Sequence, residues 1–528
     1  MGLGILDDTK LAHVPGTATL DDLQNRSIPS DTHAPLKYSL GDHPVVLVPQ
    51  PSDDPNDPLN WPLWRRDLII GILSLLSIVA STLSPLLAAN TLTLTLYFGR
   101  SFTDIALLTG YHLLGVAIGG FIFVPSARVY GKRHAYLLGT LILIVSSIWG
   151  GASGHNYACL LWARIFQGVG LAPFEALVNA SVGDLFFVHE RGKRMALSNL
   201  SLFGGAFFTP VIVGKMTSTM GWQWTFYFVA IFGGVLFPFL LFFVPETTFS
   251  RDALQDADTG GADGRTSIRG PPRDALQDTE RFLAHRFAAK VSFARSLLPF
   301  NGRHISDSFV KLLLRPFPLF LHPGILWACL IQGTLIGWTV LIGIVLAAIM
   351  LGPPLWFNEV ETGYMYTGAF IGALLGFAIA GLLSDWSARV LTRWNKGVYE
   401  PEFRLILVIP QLVFGCAGLY GFGITSADAE RYGWFWPDFF FSLEVLGMVL
   451  GAVASALYIV DAHRDIAVEA FTCLLVFKNI FSFGLTFSGL DWLIKGGVRH
   501  TFIIVASVQV GIYALTVLMY RSLPGTIF

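Results

Sequence analysis

The chain has 528 residues, of which 53% are hydrophobic and only 13% charged, and its mean hydropathy is +0.59. A soluble domain carries about 25% charged residues, so this composition cannot cover an ordinary water-exposed surface. The formal net charge of -1 leaves no basic excess for nucleic acid, and Cys159, Cys329, Cys416 and Cys473 fall in apolar runs without metal-ligand spacing, which reads as buried small hydrophobes.

In chain order, residues 1–66 are polar and lack the charged, apolar and small-residue order of a cleavable signal, so the first span is expected to act as an uncleaved anchor. A spanning helix needs about 20 mostly apolar residues. Such windows recur near 68–91, 104–127, 135–153, 158–182, 195–217 and 224–244, and again near 324–351, 362–383, 404–424, 435–460, 467–489 and 500–520. The reading is an all-α membrane protein of twelve transmembrane helices in two six-helix halves, 67–245 and 324–521, with a short cytosolic tail, 522–528. Between the halves, 246–323 holds Gly, Asp, Arg and Pro in quantities that fit a cytosolic linker. Inside it Arg251 to Asp256 recurs as Arg273 to Asp278, a small duplication in a loop rather than a binding element. Val310 to His322 mixes Leu and Phe with Lys311, Arg315 and two prolines, which suits a segment lying on the cytosolic interface.

Lys and Arg accumulate in cytosolic loops. With the amino terminus inside, the inner short loops hold Arg128, Lys132, Arg133, Arg191, Lys193, Arg194, Arg389, Arg393, Lys396, Arg404 and Arg464, against Arg100, Lys215, Arg431, Lys495 and Arg499 outside. Both termini are therefore expected in the cytosol, and no glycan is expected at Asn25, Asn179 or Asn199.

Two joined six-span halves suit a transporter in which the halves rock about a site held between them. The stretches Pro58-Leu59-Asn60-Trp61-Pro62 and Gly397-Val398-Tyr399-Glu400-Pro401-Glu402-Phe403-Arg404-Leu405 resemble fungal members of the major facilitator superfamily, and more narrowly its drug:proton antiporter family with twelve spans. The resemblance covers roughly residues 55–525 and implies the pseudo-symmetric major facilitator fold. In that superfamily the loop between spans two and three reads Gly, three residues, an acid, a base, one residue, Gly and two bases. Here Gly131, Lys132 and Arg133 fit, while Val124, Arg128 and Val129 replace the glycine, the acid and the base; the second half supplies Gly381, Asp385 and Arg389. Such a charged hairpin is a candidate gate latch, or its bases merely fix topology.

In the fourth span, Arg164-Ile165-Phe166-Gln167-Gly168 resembles the family motif whose arginine is linked to proton coupling. At 100° per residue Arg164, Gly168, Leu171, Glu175 and Asn179 share one face. Intramembrane charges face a wet cavity or one another; alternatively Glu175 reaches the headgroups as an anchor. In the fifth span Gly205, Pro210 and Gly214 match the antiporter signature and Thr209 and Val213 do not. Its physical role is close helix packing with a proline bend. Gly221-Trp222-Gln223-Trp224 fits both the family and an aromatic belt.

Glu444 and Lys478 each lie about ten residues into spans ten and eleven, so a Glu444 to Lys478 pair with Asn479 beside it is expected, for proton coupling or as a static packing pair. His112 is a candidate titrating group, or a hydrogen-bonded packing residue. Gln332, Thr334 and Trp338 in span seven are further site candidates.

The resulting expectation is a proton-coupled exporter of small amphipathic organic compounds at the plasma membrane, a monomer in the lipid bilayer with no cofactor beyond the proton gradient. The alternatives are a proton-symport importer of polyamines or other organic cations, and a membrane nutrient sensor without flux. No zinc motif, phosphate loop or nucleophile with its base points to an enzyme.

Overall fold

Inside hydrocarbon every backbone N–H and C=O must find its partner within the chain, which leaves the helix as the element an apolar run of this length forms. The computed structural model describes residues 18–19, 51–52, 54–249, 291–300, 302–303, 308–395, 398–462 and 466–522. The hexapeptide repeat lies outside the described residues. Twelve long helices follow one another: α1 Leu63–Ser81, α2 Phe102–Tyr130, α3 Arg133–Gly151, α4 Tyr157–Leu185, α5 Val188–Met220 and α6 Trp222–Phe243 in the first half. The second half holds α7 Pro323–Leu351, α8 Tyr366–Trp394, α9 Val408–Ser426, α10 Phe435–Ala462, α11 Ala467–Gly496 and α12 Val498–Ser522. Among the described residues eleven helical stretches are long and apolar enough to cross a membrane; α1, with Arg65, Arg66 and Asp67 near its start, is outside that set. A two-residue antiparallel ladder joins Ala18–Thr19 to Val398–Tyr399.

Local chemistry sets the helix ends. Ser101 and Asp104 form a capping box at the start of α2, and Asn156 caps α4 by accepting from the Cys159 N–H. Gly221, at φ +92, turns the chain directly from α5 into α6, a backbone state that side chains rarely adopt. The first span departs from expectation: α1 stops at Ser81, not near 91. Ser81 and Thr82 turn their hydroxyls back onto the Ile78 and Val79 carbonyls, and Pro85 has no N–H and restricts Ser84. A second short helix, Thr91–Phe98, resumes after the break.

Each half has its own apolar core, and the cores interlock. Leu475 of α11 packs in the first-half cluster, while Ala106 of α2 packs in that of the second half. Small residues let the helices approach. A Cβ on Gly168 of α4 would collide with the His112 carbonyl of α2, and one on Gly115 of α2 with the Ile165 carbonyl of α4. Between the halves α2 packs on α11 and α5 on α8. The buried Cys329, Cys416 and Cys473 and the half-buried Cys159 are all free thiols.

These contacts yield a stability prediction. Gly168→Val should lower the detergent-solubilised protein's stability by about 1–3 kcal/mol, the usual cost of overpacking, whereas Gly234→Ala, with open space around it, should leave the melting temperature unchanged. Equal melting curves for both variants would refute the close-approach reading.

Candidate functional site

A cavity of about 180 Å³ lies between the halves, lined by α1, α2, α4 and α5 on one side and α7, α8, α10 and α11 on the other. Its walls are largely apolar and aromatic, with Phe102, Phe203, Phe207, Tyr366 and Phe441 among them, and Glu175 and Lys478 are the charged groups on its lining. Those two form an ion pair across the halves, Lys478 Nζ donating to Glu175 Oε1, with side chains 10% and 13% exposed. α4 runs toward the end of the bundle that bears the linker, and α11 runs away from it. Glu175 and Lys478 are the lining residues of their helices nearest that end, so the pair forms the cavity's linker-side floor.

The expected Glu444 to Lys478 pair is not formed. Glu444 is fully buried and accepts from the Thr339 hydroxyl at 2.9 and 3.0 Å; Thr339 lines the cavity and places Glu444 one layer behind its wall. The reason is helix order. α10 packs chiefly on α8 and α9, whereas α11 crosses to α2 and α7, so neighbours in sequence are not the main neighbours in space. Asn479 lines the cavity and donates to the Leu475 carbonyl at 2.8 Å.

Arg164 is fully buried and turns away from Glu175. Its guanidinium donates to the carbonyls of Leu83 (2.6 Å), Ser84 (3.4 Å) and Leu108 (3.3 Å) and to Gln167 Oε1 (3.1 Å). It thereby holds the break after α1, whose residues Ser84, Pro85, Leu87 and Ala88 form cavity wall. Gln167 Nε2 reaches the Ser146 carbonyl at 3.4 Å. His112 is buried beside Arg164. Asn179 donates to Asn199 at 2.7 Å. The shared stripe on α4 thus serves three different neighbours. The three span-seven candidates face the protein instead of the cavity: Gln332 accepts from Ser455 at 3.0 Å, while Trp338 and Thr334 donate to Gln509 of α12 at 3.0 and 2.8 Å. On α5, Gly205 abuts α1 at Ile78 and Ser81, while Pro210 and Gly214 abut Gly363 and Glu359 of a short helix before α8.

At the linker end the loop between α2 and α3 has partners that the sequence pattern did not point to. Glu246, just past α6, accepts from the N–H groups of Lys132, Arg133, Thr247 and Thr248 at 2.9–3.0 Å. It supplies at the start of α3 the carboxylate that the loop itself lacks, where a helix N-terminus favours negative charge. Gly131 (φ +89) lies against that carboxylate and has no room for a side chain. Lys132 pairs with Asp184 at 2.5 Å, and Arg133 closes the last turn of α6 through the Val244 and Leu241 carbonyls. Arg128, standing where the family places an acid, pairs with Glu469 in the first turn of α11 and so ties the halves together. In the second half Arg404 pairs with Asp461 at 2.9 Å; the side chains of Asp385 and Arg389 lie outside those described. The signal available in the sequence was position: Glu246, Asp184 and Glu469 are acids at the ends of apolar runs, facing a basic loop.

Comparisons place this geometry among known proteins. The family model described as Major Facilitator Superfamily matches residues 63–490. Similar curated proteins include Protein HOL1 of Saccharomyces cerevisiae, 25% identical over 96% of this chain and 94% of its own length, and MFS transporter cpaT of Aspergillus oryzae, 26% identical over 92% and 94%. Among solved structures, a D-xylose-proton symporter matches with a TM-score of 0.58 at 14% identity, covering 87% of this chain and 98% of the other, which shows likeness of fold.

The cross-half pair makes a prediction of its own. Lys478→Met leaves Glu175 uncompensated and should destabilise by about 3 kcal/mol, the scale for broken buried pairs, while adding Glu175→Gln should restore much of the loss. Unfolding in detergent checks this. If instead Glu444→Gln rescues Lys478→Met and Glu175→Gln does not, Lys478 pairs with Glu444 and the cross-half bridge is wrong.

Proposed function

The chain belongs to the major facilitator superfamily, and from that premise we propose that it is a proton-coupled secondary transporter that exports small amphipathic organic compounds by alternating access. The observation that carries this reading is the Glu175–Lys478 bridge, which joins the halves at the floor of the cavity between them. Protonating Glu175 removes the charge that holds Lys478, and the halves can then part at that level. Losing the proton restores the bridge. The apolar and aromatic walls suit solutes with a large apolar body, and the single charged pair orients a polar group. Within the family this fits the drug:proton antiporters with twelve spans, α1 counting as the first. The chain acts as a monomer in the plasma membrane with the linker and both termini in the cytosol. Arg164 is a positioning residue in this scheme, since it shapes the cavity wall through the break after α1. The same floor pair would also serve proton-driven uptake of polyamines or other organic cations, because a carboxylate faces the cavity.

Inside-out vesicles scanned against a compound library, with and without a proton gradient, test the proposal. Wild-type protein should accumulate its substrate only with the gradient; Glu175→Gln with Lys478→Met should insert normally and equilibrate substrate without concentrating it. Accumulation by that double variant would remove Glu175 from the coupling step, and gradient-driven uptake into whole cells would reverse the direction of transport from export to import. Arg164→Ala should abolish accumulation, with Arg164→Lys restoring part of it, because an ammonium lacks the planar fork that reaches several carbonyls at once. Full accumulation by Arg164→Ala would show that the break after α1 needs no guanidinium.

A further inference from the structure

The carboxylate that ties the halves at the linker end is shared by three elements. Glu469 is buried, and its Oε1 accepts from Arg128 of α2 and, at 3.0 Å, from Arg315 Nη1, while its Oε2 is buried without a hydrogen-bond partner. Arg315 belongs to the last stretch of the linker, which forms two short helices, Phe309–Leu314 and Pro316–Leu319. We propose that this stretch lies in the membrane interface, moves with the second half, and carries Arg315 as a substitute partner for Glu469, so that the bridge to Arg128 can open without baring a buried carboxylate.

Three observations support it. First, the stretch buries Leu312 and Pro316 against the protein yet exposes Val310 (58%), Leu314 (55%), Phe317 (55%) and Leu321 (82%). Their spacing of four, three and four residues makes one apolar stripe. Second, the stripe ends two residues before Pro323, where the membrane-crossing α7 begins, so the chain has no length to lift it away from the bilayer surface. Ile122 of α2 and Val468 of α11, on the two long helices that this stretch packs against, and Leu326 of α7, the helix it leads into, are exposed apolar residues as well, which fits lipid as its neighbour. Third, the second of its short helices is bound to the second half, while Phe309–Leu314 rests on α2: Pro316–Leu319 packs on α11, the Cys473 thiol of α11 donates to the Pro316 carbonyl at 3.3 Å, and α7 follows directly. Phe317 also stacks on Phe121 of α2, with centroids 5.4 Å apart, and that contact parts with the bridge when the halves separate.

The charge balance gives the direction of the effect. With the halves together, two guanidiniums crowd one carboxylate oxygen, so Arg315 weakens the hold of Arg128. With the halves apart Arg128 leaves with the first half, and Arg315 alone keeps Glu469 compensated. Both effects favour opening. Arg315 is thus a positioning residue for the gate and not part of its lock.

The inference rests on the alternating-access reading above, but its test needs no substrate. Spin labels on the linker-side ends of α2 and α11, in full-length protein in anionic-lipid nanodiscs, report the closed and open populations by their distance distribution. Arg315→Gln should raise the closed-to-open ratio by roughly fivefold, Arg315→Lys should not, and the effect of Arg315→Gln should vanish in a Glu469→Gln background. A shift of Arg315→Gln toward open, or an unchanged effect without Glu469, overturns the substitute-partner role. A fluorophore at Leu314→Cys or Phe317→Cys should be quenched by lipids carrying a nitroxide at interface depth. Quenching by a water-soluble quencher alone, or protection that depends on protein concentration and so points to a second copy of the chain, overturns the lipid assignment.

Discussion

A charge taken into hydrocarbon must find a partner, and this constraint organises the molecule. Several of the charged groups buried in the bundle hold helices to one another: Arg164 on the carbonyls around the break after α1, Arg133 on the end of α6, Glu246 on the start of α3, Glu444 on Thr339. Where an apolar core supplies adhesion without direction, these few polar contacts fix which helices meet and at what height. The cavity follows from that. Part of its wall is the break after α1, and Arg164 keeps that break in place.

How much of this was legible in the sequence depends on how local the signal was. Apolar windows placed most of the long helices within several residues, because length and composition decide whether a segment can cross a membrane; α1, which ends at Ser81 where the window ran to 91, and α8, which runs on to Trp394 where the window stopped at 383, are the exceptions. The break after Ser81 was written in Ser, Thr and Pro85, but hydropathy averages over such residues. The helical stripe on α4 grouped Arg164, Glu175 and Asn179 as one functional face, but on a helix of 29 residues those side chains meet different neighbours at different depths. Pairing across the chain was least legible. Lys478 finds Glu175, 303 residues away, and Arg128 finds Glu469, 341 residues away. Sequence adjacency favoured Glu444 instead, and no periodicity reports that α11 belongs as much to the first half's surface as to its own.

The ion pairs sort into two kinds by what they join. Lys132–Asp184 links the starts and ends of α3 and α4, and Arg404–Asp461 does the same for the segment entering α9 and the end of α10. These lie at corresponding places in the two halves and tie each half to itself. Bracing of this kind is what the proposed rocking of each half about a central site would require. Arg128–Glu469 and Glu175–Lys478 join one half to the other, so any motion that separates the halves at the linker end has to break both.

Both of those bridges end on α11, nine residues and so roughly 13 Å apart along its axis, and they have opposite polarity. At the linker end α11 offers an acid to a base of α2; deeper in, it offers a base to an acid of α4. One trigger therefore cannot serve both equally. In the proposed cycle a proton on Glu175 would release the deeper bridge and let Lys478 turn to a solute or to water. The outer bridge would need no proton if Arg315, already 3.0 Å from Glu469, takes over its carboxylate as proposed. The deeper bridge, being on the cavity floor, senses what the cavity contains; the outer one senses only whether the halves have begun to part. Separation at the linker end would then begin at the level of the solute site, with the outer bridge yielding second, an order set by which carboxylate has a second cation within reach and which has to be neutralised.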